Sequence, residues 1–287
     1  MITGKTKLLG LIGHPVGHSL SPLMHNAAIA HLGLDYVYLP LPVKPEDLPV
    51  AVAGFAALGL VGFSVTIPHK QAILPFLSEI SPVARAVGAV NTVWHTGSGW
   101  AGTNTDVEGF LAPLLACNRD WSQTSALILG AGGAARAVVA GCAQLGIPVV
   151  RIVGRHRHKL EAFQQSWVNS PVPVLATHTW EELPQLLPQS SLLVNTTPVG
   201  MYPKVDEMPV SASDMAALPT GAIVYDLIYT PNPTQFLKAA SSTGAMAIDG
   251  LEMLVGQGAA ALQIWLQQPV PVAVMRQSLR LHLGLPT

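Results

Sequence analysis

Short apolar runs rich in β-branched residues alternate with helical patterns along most of the chain, which predicts an α/β protein with largely parallel sheets. Leu8–Ile12 reads as the first strand, followed by the loop GHPVGHS. Ser21 and Pro22 mark a helix start, a capping hydroxyl before a proline at the first helical position, and Gly33 marks its end. Val37–Leu41 and Gly62–Ile67 read as the next two strands, with a helix opening at Pro45 between them. His69–Leu77 is predicted as a short helix, and another before Gly88 leads into AVNTVW, a turn HTGSG, and then WAGTNTD.

The pattern changes near Asp106. A helix over Val107–Ala116 leads to SALILGAGGAAR, which reads as strand, glycine turn and helix. Further βα units carry the apolar runs PVVRIVG, VPVLA, SLLVN and AIVYDLIY. DGLEMLVGQGAAALQIWLQQ is a long helix of small and apolar residues, and PVPVAVMRQSLRLHL a final one. Two domains are expected, residues 1–106 with 250–287 and residues 107–249, the C-terminal helices folding back onto the first.

A mean hydropathy of +0.41 raises the question of a membrane span, because Leu48–Pro68 is free of charge and long enough to cross a bilayer. Its prolines, glycines, Ser64 and Thr66 and its midway change of pattern read instead as a helix, a turn and a buried strand. The apolar stretch at the N-terminus is too quickly broken by turn residues for a signal peptide, so a soluble, cytoplasmic protein is expected, with no membrane partner. Fifteen basic and sixteen acidic side chains nearly cancel, leaving no basic field for nucleic acid. Cys117 and Cys142 lie far apart and read as two buried thiols of a reducing compartment. His14, His18, His25 and His69 have no acidic or thiol ligand at metal spacing, so no metal is expected and packed imidazoles are.

Two motifs carry chemistry. Gly130-Ala131-Gly132-Gly133-Ala134-Ala135 fits G-x-G-x-x-A between a strand and a helix. Gly130 permits the tight turn, Gly132 removes a Cβ that would block a pyrophosphate, and the free N–H groups of the helix start bind phosphate. The alternative is an ordinary glycine-rich turn. The next strand ends in Gly154-Arg155-His156-Arg157-His158-Lys159. An NAD site would place an acid there for the ribose 2′-hydroxyl, yet none comes before Glu161, and Arg155, Arg157 and Lys159 favour a 2′-phosphate. NADP is therefore expected, against the alternative of a solvated basic helix start.

The second motif is a single cation. GFSVTIPHK ends an apolar strand with Lys70 at a predicted helix start, where the macrodipole disfavours positive charge. Either Lys70 points into water, or an acid holds it for use as the proton donor that hydride transfer to a carbonyl needs. Asp106, in GTNTD, is the best placed acid, and as a helix N-cap it has a structural role open to it as well.

Taken together, these stretches resemble the shikimate dehydrogenase family over nearly the full chain. The matching stretches are SLSP (19–22), VTIPHK (65–70), GAVNT (88–92), NTD (104–106), the glycine turn, NTTPVGM (195–201), YDLIY (225–229) and MLVGQG (253–258), in family order and spacing. The resemblance implies an N-terminal α/β/α substrate domain with a mixed sheet, a Rossmann-type NADP-binding domain, and a cleft between them. It implies NADPH-dependent reduction of 3-dehydroshikimate to shikimate by a monomer or homodimer. Lys70 is implied as the acid/base group and Asp106 as its partner, also touching substrate hydroxyls. Ser19, Ser21 and Tyr229 are implied for the substrate carboxylate, and Thr66, Asn91 and Gln257 for ring hydroxyls or the carbonyl. Gly130, Ala131, Gly132, Gly133 and Ala134 would hold the pyrophosphate, Arg155 and Lys159 the 2′-phosphate, and Leu227 and Gly250 the nicotinamide end.

Gly154 and His156 belong to the same cofactor segment but depart from the family's N-R-[ST], and Ser64 stands where an asparagine is usual; adenosine contacts and local strand bonding are expected to differ there. Each carried residue has a bland alternative: Ser21 a cap, Thr66 a strand residue, Asn91 a turn residue, Gln257 a polar position on a packed helix. Two rival functions make distinct demands. An NAD-linked quinate or shikimate dehydrogenase calls for an acid near Arg155, and a non-catalytic NADP-binding sensor calls for loss of Lys70 or Asp106.

Overall fold

A computed structural model of the chain describes residues 2–167 and 172–286. These residues fall into two compact units, 1–109 with 254–287, and 110–253.

The first unit contains β1 (Lys7–Gly13), β2 (Tyr36–Pro42), β3 (Gly62–Val65), β4 (Glu79–Ile80), β5 (Thr92–His95) and β6 (Trp100–Thr103). They form one sheet in the order β2-β1-β3-β5-β6-β4. β1 pairs in parallel with β2 and β3, whereas β5 is antiparallel to both β3 and β6, so the sheet is mixed. The helices Ser21–His31 and Leu48–Ala57 are the connections that parallel strands require. Leu48–Pro68 is thus a helix, a turn and the buried strand β3. Ile12, Phe63, Val65 and Val93 of the sheet bury against Val52 and Phe55. Trp265 seals the other side by donating its indole N–H to the Val93 carbonyl at 2.9 Å. A Cβ on Gly62 would lie 2.2 Å from that indole nitrogen, so only glycine fits there.

Several local expectations need correction. β3 ends at Val65 rather than Ile67, since the chain turns at Ile67 and Pro68 has no N–H for the ladder. The helix after it covers only His69–Ala72, with a tighter turn at Leu74–Phe76, because Pro75 cannot continue the α-helical bonding. Ser21 is not the cap of its helix but its first residue; the Ser19 hydroxyl instead receives the Ser21 N–H at 3.3 Å. Cys142 is buried, with burial pushing its thiol up to about 12, but Cys117 is only half-buried. The two-residue strand β4 is too short to show in any periodicity.

The second unit contains β7 (Ser125–Leu129), β8 (Val149–Gly154), β9 (Val174–Thr179), β10 (Leu192–Asn195), β11 (Ile223–Asp226) and β12 (Met246–Ile248). Their order, β12-β11-β10-β7-β8-β9, is that of a doubly wound dinucleotide-binding sheet, and every pairing is parallel. β10 and β11 are buried throughout and β7 in all but its first residue, because helices cover the sheet: Gly133–Gln144 follows β7, Arg157–Gln165 follows β8, and Gln235–Ser242 follows β11. Leu127, Leu129, Val153, Leu193 and Val224 build the core with Phe236 and Leu237. Among the described residues no helix is long and apolar enough to cross a membrane.

Candidate active site

Lys70 is delivered by a loop pinned on several sides. The Thr66 N–H donates to the Ile12 carbonyl at 2.9 Å, the His14 N–H to the Ile67 carbonyl at 3.0 Å, and the His69 N–H back to the Thr66 carbonyl at 2.8 Å. The His69 ring, almost fully buried, bonds through Nε2 to the Val43 carbonyl at 2.7 Å. The Lys70 carbonyl itself accepts the Val90 N–H at 2.8 Å. With its backbone held, the ammonium does not point into water. Lys70 Nζ donates to Asp106 Oδ2 at 2.5 Å, the two side chains being 18% and 8% exposed. Burial at this level keeps the attraction well above that of a solvated surface pair.

Asp106 opens the helix Asp106–Leu115, where a carboxylate suits the positive end of the macrodipole. It is not the capping oxygen expected of it: its own N–H is received by Asn104 Oδ1 at 3.0 Å, and Asn104 is anchored by donating to the Ala89 carbonyl at 2.9 Å. That leaves both carboxylate oxygens of Asp106 for side chains. Oδ2 takes Lys70, and Oδ1 accepts from Asn91 Nδ2 at 2.8 Å. Asn91 Nδ2 also lies 3.4 Å from Gln257 Oε1, while Gln257 Nε2 donates to the Leu254 carbonyl at 2.8 Å.

Lys70, Asn91, Asp106 and Gln257 therefore meet in one bonded cluster. Among the described residues no side-chain hydrogen bond ties Ser19, Ser21 or Thr66 to it; Ser19 and Ser21 are joined to each other, and Thr66 is half-buried where β3 ends. Tyr229 belongs to the second unit, three residues after β11, and is half-buried.

In the second unit the glycine turn has the shape a pyrophosphate needs. Gly130 sits at φ +103°, a region that strains any other residue, and a Cβ there would crowd the Thr196 hydroxyl at 2.8 Å. Gly132 precedes the helix Gly133–Gln144 with no side chain capping the free N–H groups, and a Cβ at 132 would meet nothing within 4 Å. Open space in front of unsatisfied N–H donors fits an anionic ligand. Ala131, Gly133 and Ala134 line the same turn, all half-buried, and Gly132 is exposed. At the end of β8, Gly154 is buried with Leu160 Cδ2 2.9 Å from where a Cβ would stand; the start of the usual asparagine side chain is filled by leucine. Arg155, His156, Arg157, His158 and Lys159 follow, all exposed, around an uncapped helix start. Leu227 and Gly250 meet backbone to backbone: the Gly250 N–H donates to the Ile228 carbonyl at 3.2 Å, and a Cβ at 250 would lie 2.2 Å from the Leu227 oxygen.

The reading from sequence missed a second buried carboxylate. Asp226, wholly buried, accepts from Asn195 Nδ2 at 3.0 Å, the Thr234 hydroxyl at 2.7 Å and the Ile228 N–H at 3.1 Å. Burial pushes its carboxyl up to about 6 from 3.8, and the three hydrogen bonds oppose that rise. A polar residue ending each of two adjacent apolar strands, Asn195 opposite Asp226 in register, was the available signal. Of the histidines, His25 is buried and stacked on Tyr38 with ring centroids 4.2 Å apart, and burial lowers it to about 3. His14 and His18 are exposed rather than packed, since the loop GHPVGHS runs over the surface.

A parallel sheet of dinucleotide-binding order with an open glycine turn, in a chain that also buries a lysine–aspartate pair, defines the class as a two-unit dinucleotide-dependent oxidoreductase. Comparison with known proteins makes this specific. A family model described as the shikimate dehydrogenase substrate binding domain matches residues 11–93, and one described as the shikimate 5′-dehydrogenase C-terminal domain matches residues 250–280. The chain is 66% identical to the shikimate dehydrogenase (NADP(+)) of Trichormus variabilis, covering 99% of this chain and 100% of that protein. A crystal structure of a shikimate dehydrogenase in complex with NADP+ superposes with a TM-score of 0.86 at 38% identity, over 99% of this chain and 98% of that one. The Thermus thermophilus shikimate 5-dehydrogenase in complex with NADP(H) and shikimate gives 0.84 at 33% identity, over 96% and 99% of the respective chains. The chain belongs to the shikimate dehydrogenase family.

Proposed function

We propose that the chain catalyses the reversible NADPH-dependent reduction of 3-dehydroshikimate to shikimate, a step of aromatic amino-acid biosynthesis. The observation that carries this reading is the 2.5 Å contact between Lys70 Nζ and Asp106 Oδ2, in a chain whose other unit offers an open phosphate turn. When bound, NADPH supplies the hydride. The chain's own residues do the rest.

Lys70 directs an N–H at the substrate carbonyl oxygen and gives its proton to that oxygen as negative charge develops; in the oxidation direction it takes the proton back. Asp106 holds the ammonium in place and accepts from a neighbouring substrate hydroxyl, while Asn91, Gln257 and Thr66 orient the remaining ring oxygens. Ser19, Ser21 and Tyr229 bind the substrate carboxylate through hydroxyl donors. The first unit is thus the substrate domain and the second the dinucleotide domain. Residues 130–134 hold the pyrophosphate, Arg155 with Lys159 the 2′-phosphate beside Gly154 and His156, and Leu227 and Gly250 border the nicotinamide. The protein acts in the cytoplasm as a monomer or homodimer.

The rival functions lack support. Position 155 carries a guanidinium rather than the acid an NAD-linked enzyme needs, and the pair a binding-only sensor has no use for is intact. Steady-state reduction of 3-dehydroshikimate with NADPH and with NADH tests the reading. NADPH is expected to be preferred by about a hundredfold in kcat/KM, a gap that Arg155→Ala narrows by about tenfold. Equal use of both nucleotides would refute the cofactor assignment, and no turnover with either would refute the reaction.

A further inference from the structure

Beside the lysine–aspartate pair lies a ring of hydrogen bonds that touches neither Lys70 nor solvent. Asn91, Thr92 and Thr105 are buried to within 2% of full enclosure. Asn91 Nδ2 donates to Thr105 Oγ1 at 3.0 Å; the Thr105 and Thr92 hydroxyls lie 3.1 Å apart; and Thr92 Oγ1 donates to Asn91 Oδ1 at 2.9 Å. One assignment of protons closes the circuit: Asn91 N–H to Thr105, Thr105 O–H to Thr92, Thr92 O–H to the Asn91 carbonyl oxygen. The Thr105 backbone N–H, which can only donate, also points at Asn91 Oδ1, at 2.8 Å. The amide therefore faces one way, with its oxygen in the ring.

Through Asn91 the ring reaches the carboxylate. Asn91 Nδ2 carries two hydrogens, and the ring uses one. The other is left for Asp106 Oδ1 at 2.8 Å, the ionised acceptor being favoured over the longer approach to Gln257. We infer that Thr105, closed into a ring by Thr92, is a positioning residue: the two hydroxyls fix the Asn91 amide as a dedicated donor to Asp106 Oδ1, which orients the carboxylate so that Oδ2 meets Lys70. Neither threonine hydroxyl bonds to Lys70 or Asp106, so both act through Asn91. Lys70 is the charged group bonded to Asp106; the surrounding strand and loop add the neutral Asn91, Asn104 and Thr105, and the helix Leu251–Leu266 adds the neutral Gln257. The inference rests on the reading of Lys70 and Asp106 as the acid/base pair.

The test uses the full chain and four variants. Thr105→Val keeps shape and removes the hydroxyl, so kcat is expected to fall about tenfold with KM nearly unchanged, and the acid limb of the pH–rate profile to move to higher pH. Thr105→Ser restores both. Thr92→Val lowers kcat about threefold, and adding it to Thr105→Val costs less than it does alone, because both hydroxyls act on the same Asn91 amide. Without substrate, the Asn91 side-chain amide hydrogens exchange slowly in the wild-type protein and at least about tenfold faster in Thr105→Val, with the backbone amides of β5 unaffected. Additive losses in the double variant, no rescue by serine, or fast Asn91 exchange in the wild type would each overturn the ring, and the last needs no variant to fold. Full turnover by Lys70→Ala would instead remove the underlying reading, while the exchange measurement still decides the ring.

Discussion

Each unit buries one aspartate among the same kinds of partner, an asparagine amide and backbone or hydroxyl donors, yet the two carboxylates live under different electrostatics. Asp106 has Lys70 on one oxygen and the Asn91 amide on the other, and the lysine side chain retains 18% of its exposure. Asp226 is wholly enclosed, and its hydrogen-bond partners Asn195, Thr234 and the Ile228 N–H are all neutral. A buried charge without a counter-ion raises its own proton affinity, and Asp226 is pushed up to about 6. Burial alone does not separate the two roles. Under the proposed function, a carboxylate tied to a cation that still reaches solvent aims that cation at a ligand, whereas one tied only to neutral donors locks a junction between strands.

The largest test of that contrast is at Lys70. Lys70→Ala is expected to lower kcat about a thousandfold while KM for 3-dehydroshikimate changes by less than about threefold, as for a group acting mainly in the transition state. Asp106→Asn is expected to cost about a hundredfold in kcat. Asp106 receives donors on both oxygens, so an asparagine turns one donor–acceptor pair into two donors facing each other. Asp226→Asn, assayed alongside, keeps kcat within about twofold. If Asp226→Asn cost as much turnover as Asp106→Asn, the division between reactive and structural carboxylates would collapse.

That division is only half legible in the amino-acid sequence. Lys70 and Asp106 stand out because a charge next to an apolar strand is conspicuous in a chain that is 11% charged, and the glycine turn because G-x-G-x-x-A falls between strand and helix. The alternation of strands and helices was equally readable, since buried parallel strands are unbroken apolar runs. Spacing was ambiguous where two polar residues compete for one role. Ser19 and Ser21 both suit a helix start, as do Asn104 and Asp106, and only the backbone conformation decides which oxygen receives the N–H. Asp226 and its partner Asn195 lie 31 positions apart and meet only through the register of β10 with β11, which no local pattern encodes. Thr92 and Thr105 fall within GAVNT and NTD but carry no sign of their mutual contact, because a hydroxyl's bonding direction is invisible until the pleat places it.

The glycines offer a second, smaller version of the same contrast. Gly250 is required by backbone, since a Cβ there would lie 2.2 Å from the Leu227 oxygen, whereas Gly132 faces open space. Gly250→Ala is expected to destabilise the chain by about 3 kcal/mol in chemical denaturation, an overpacking cost against atoms that cannot step aside. Gly132→Ala should leave unfolding nearly unchanged and raise the dissociation constant for NADP+ about tenfold, because the added methyl enters the space in front of the helix N–H groups. Equal stability losses in the two variants would mean that the turn is built for packing and not for an anion.

The smallest expected effect reads the Asp226 environment directly. Folding raises the affinity of this carboxyl for its proton, so the folded state binds protons that the unfolded state has released. The penalty is present in full above about pH 6 and is relieved as pH falls toward the ordinary value of 3.8. Relative to Asp226→Asn, the wild-type protein should therefore gain about 1 kcal/mol of unfolding free energy between about pH 7 and about pH 5, a comparison that cancels the other titrating groups. Should the variant not fold, the Asp226 carboxyl carbon in the wild-type protein still reports the same quantity by nuclear magnetic resonance, with a midpoint at about 6. A stability difference independent of pH, or a carboxyl that titrates at about the ordinary 3.8, would show that the neutral donors around Asp226 compensate its charge as fully as Lys70 compensates Asp106. Burial with or without a cation would then no longer separate the two sites.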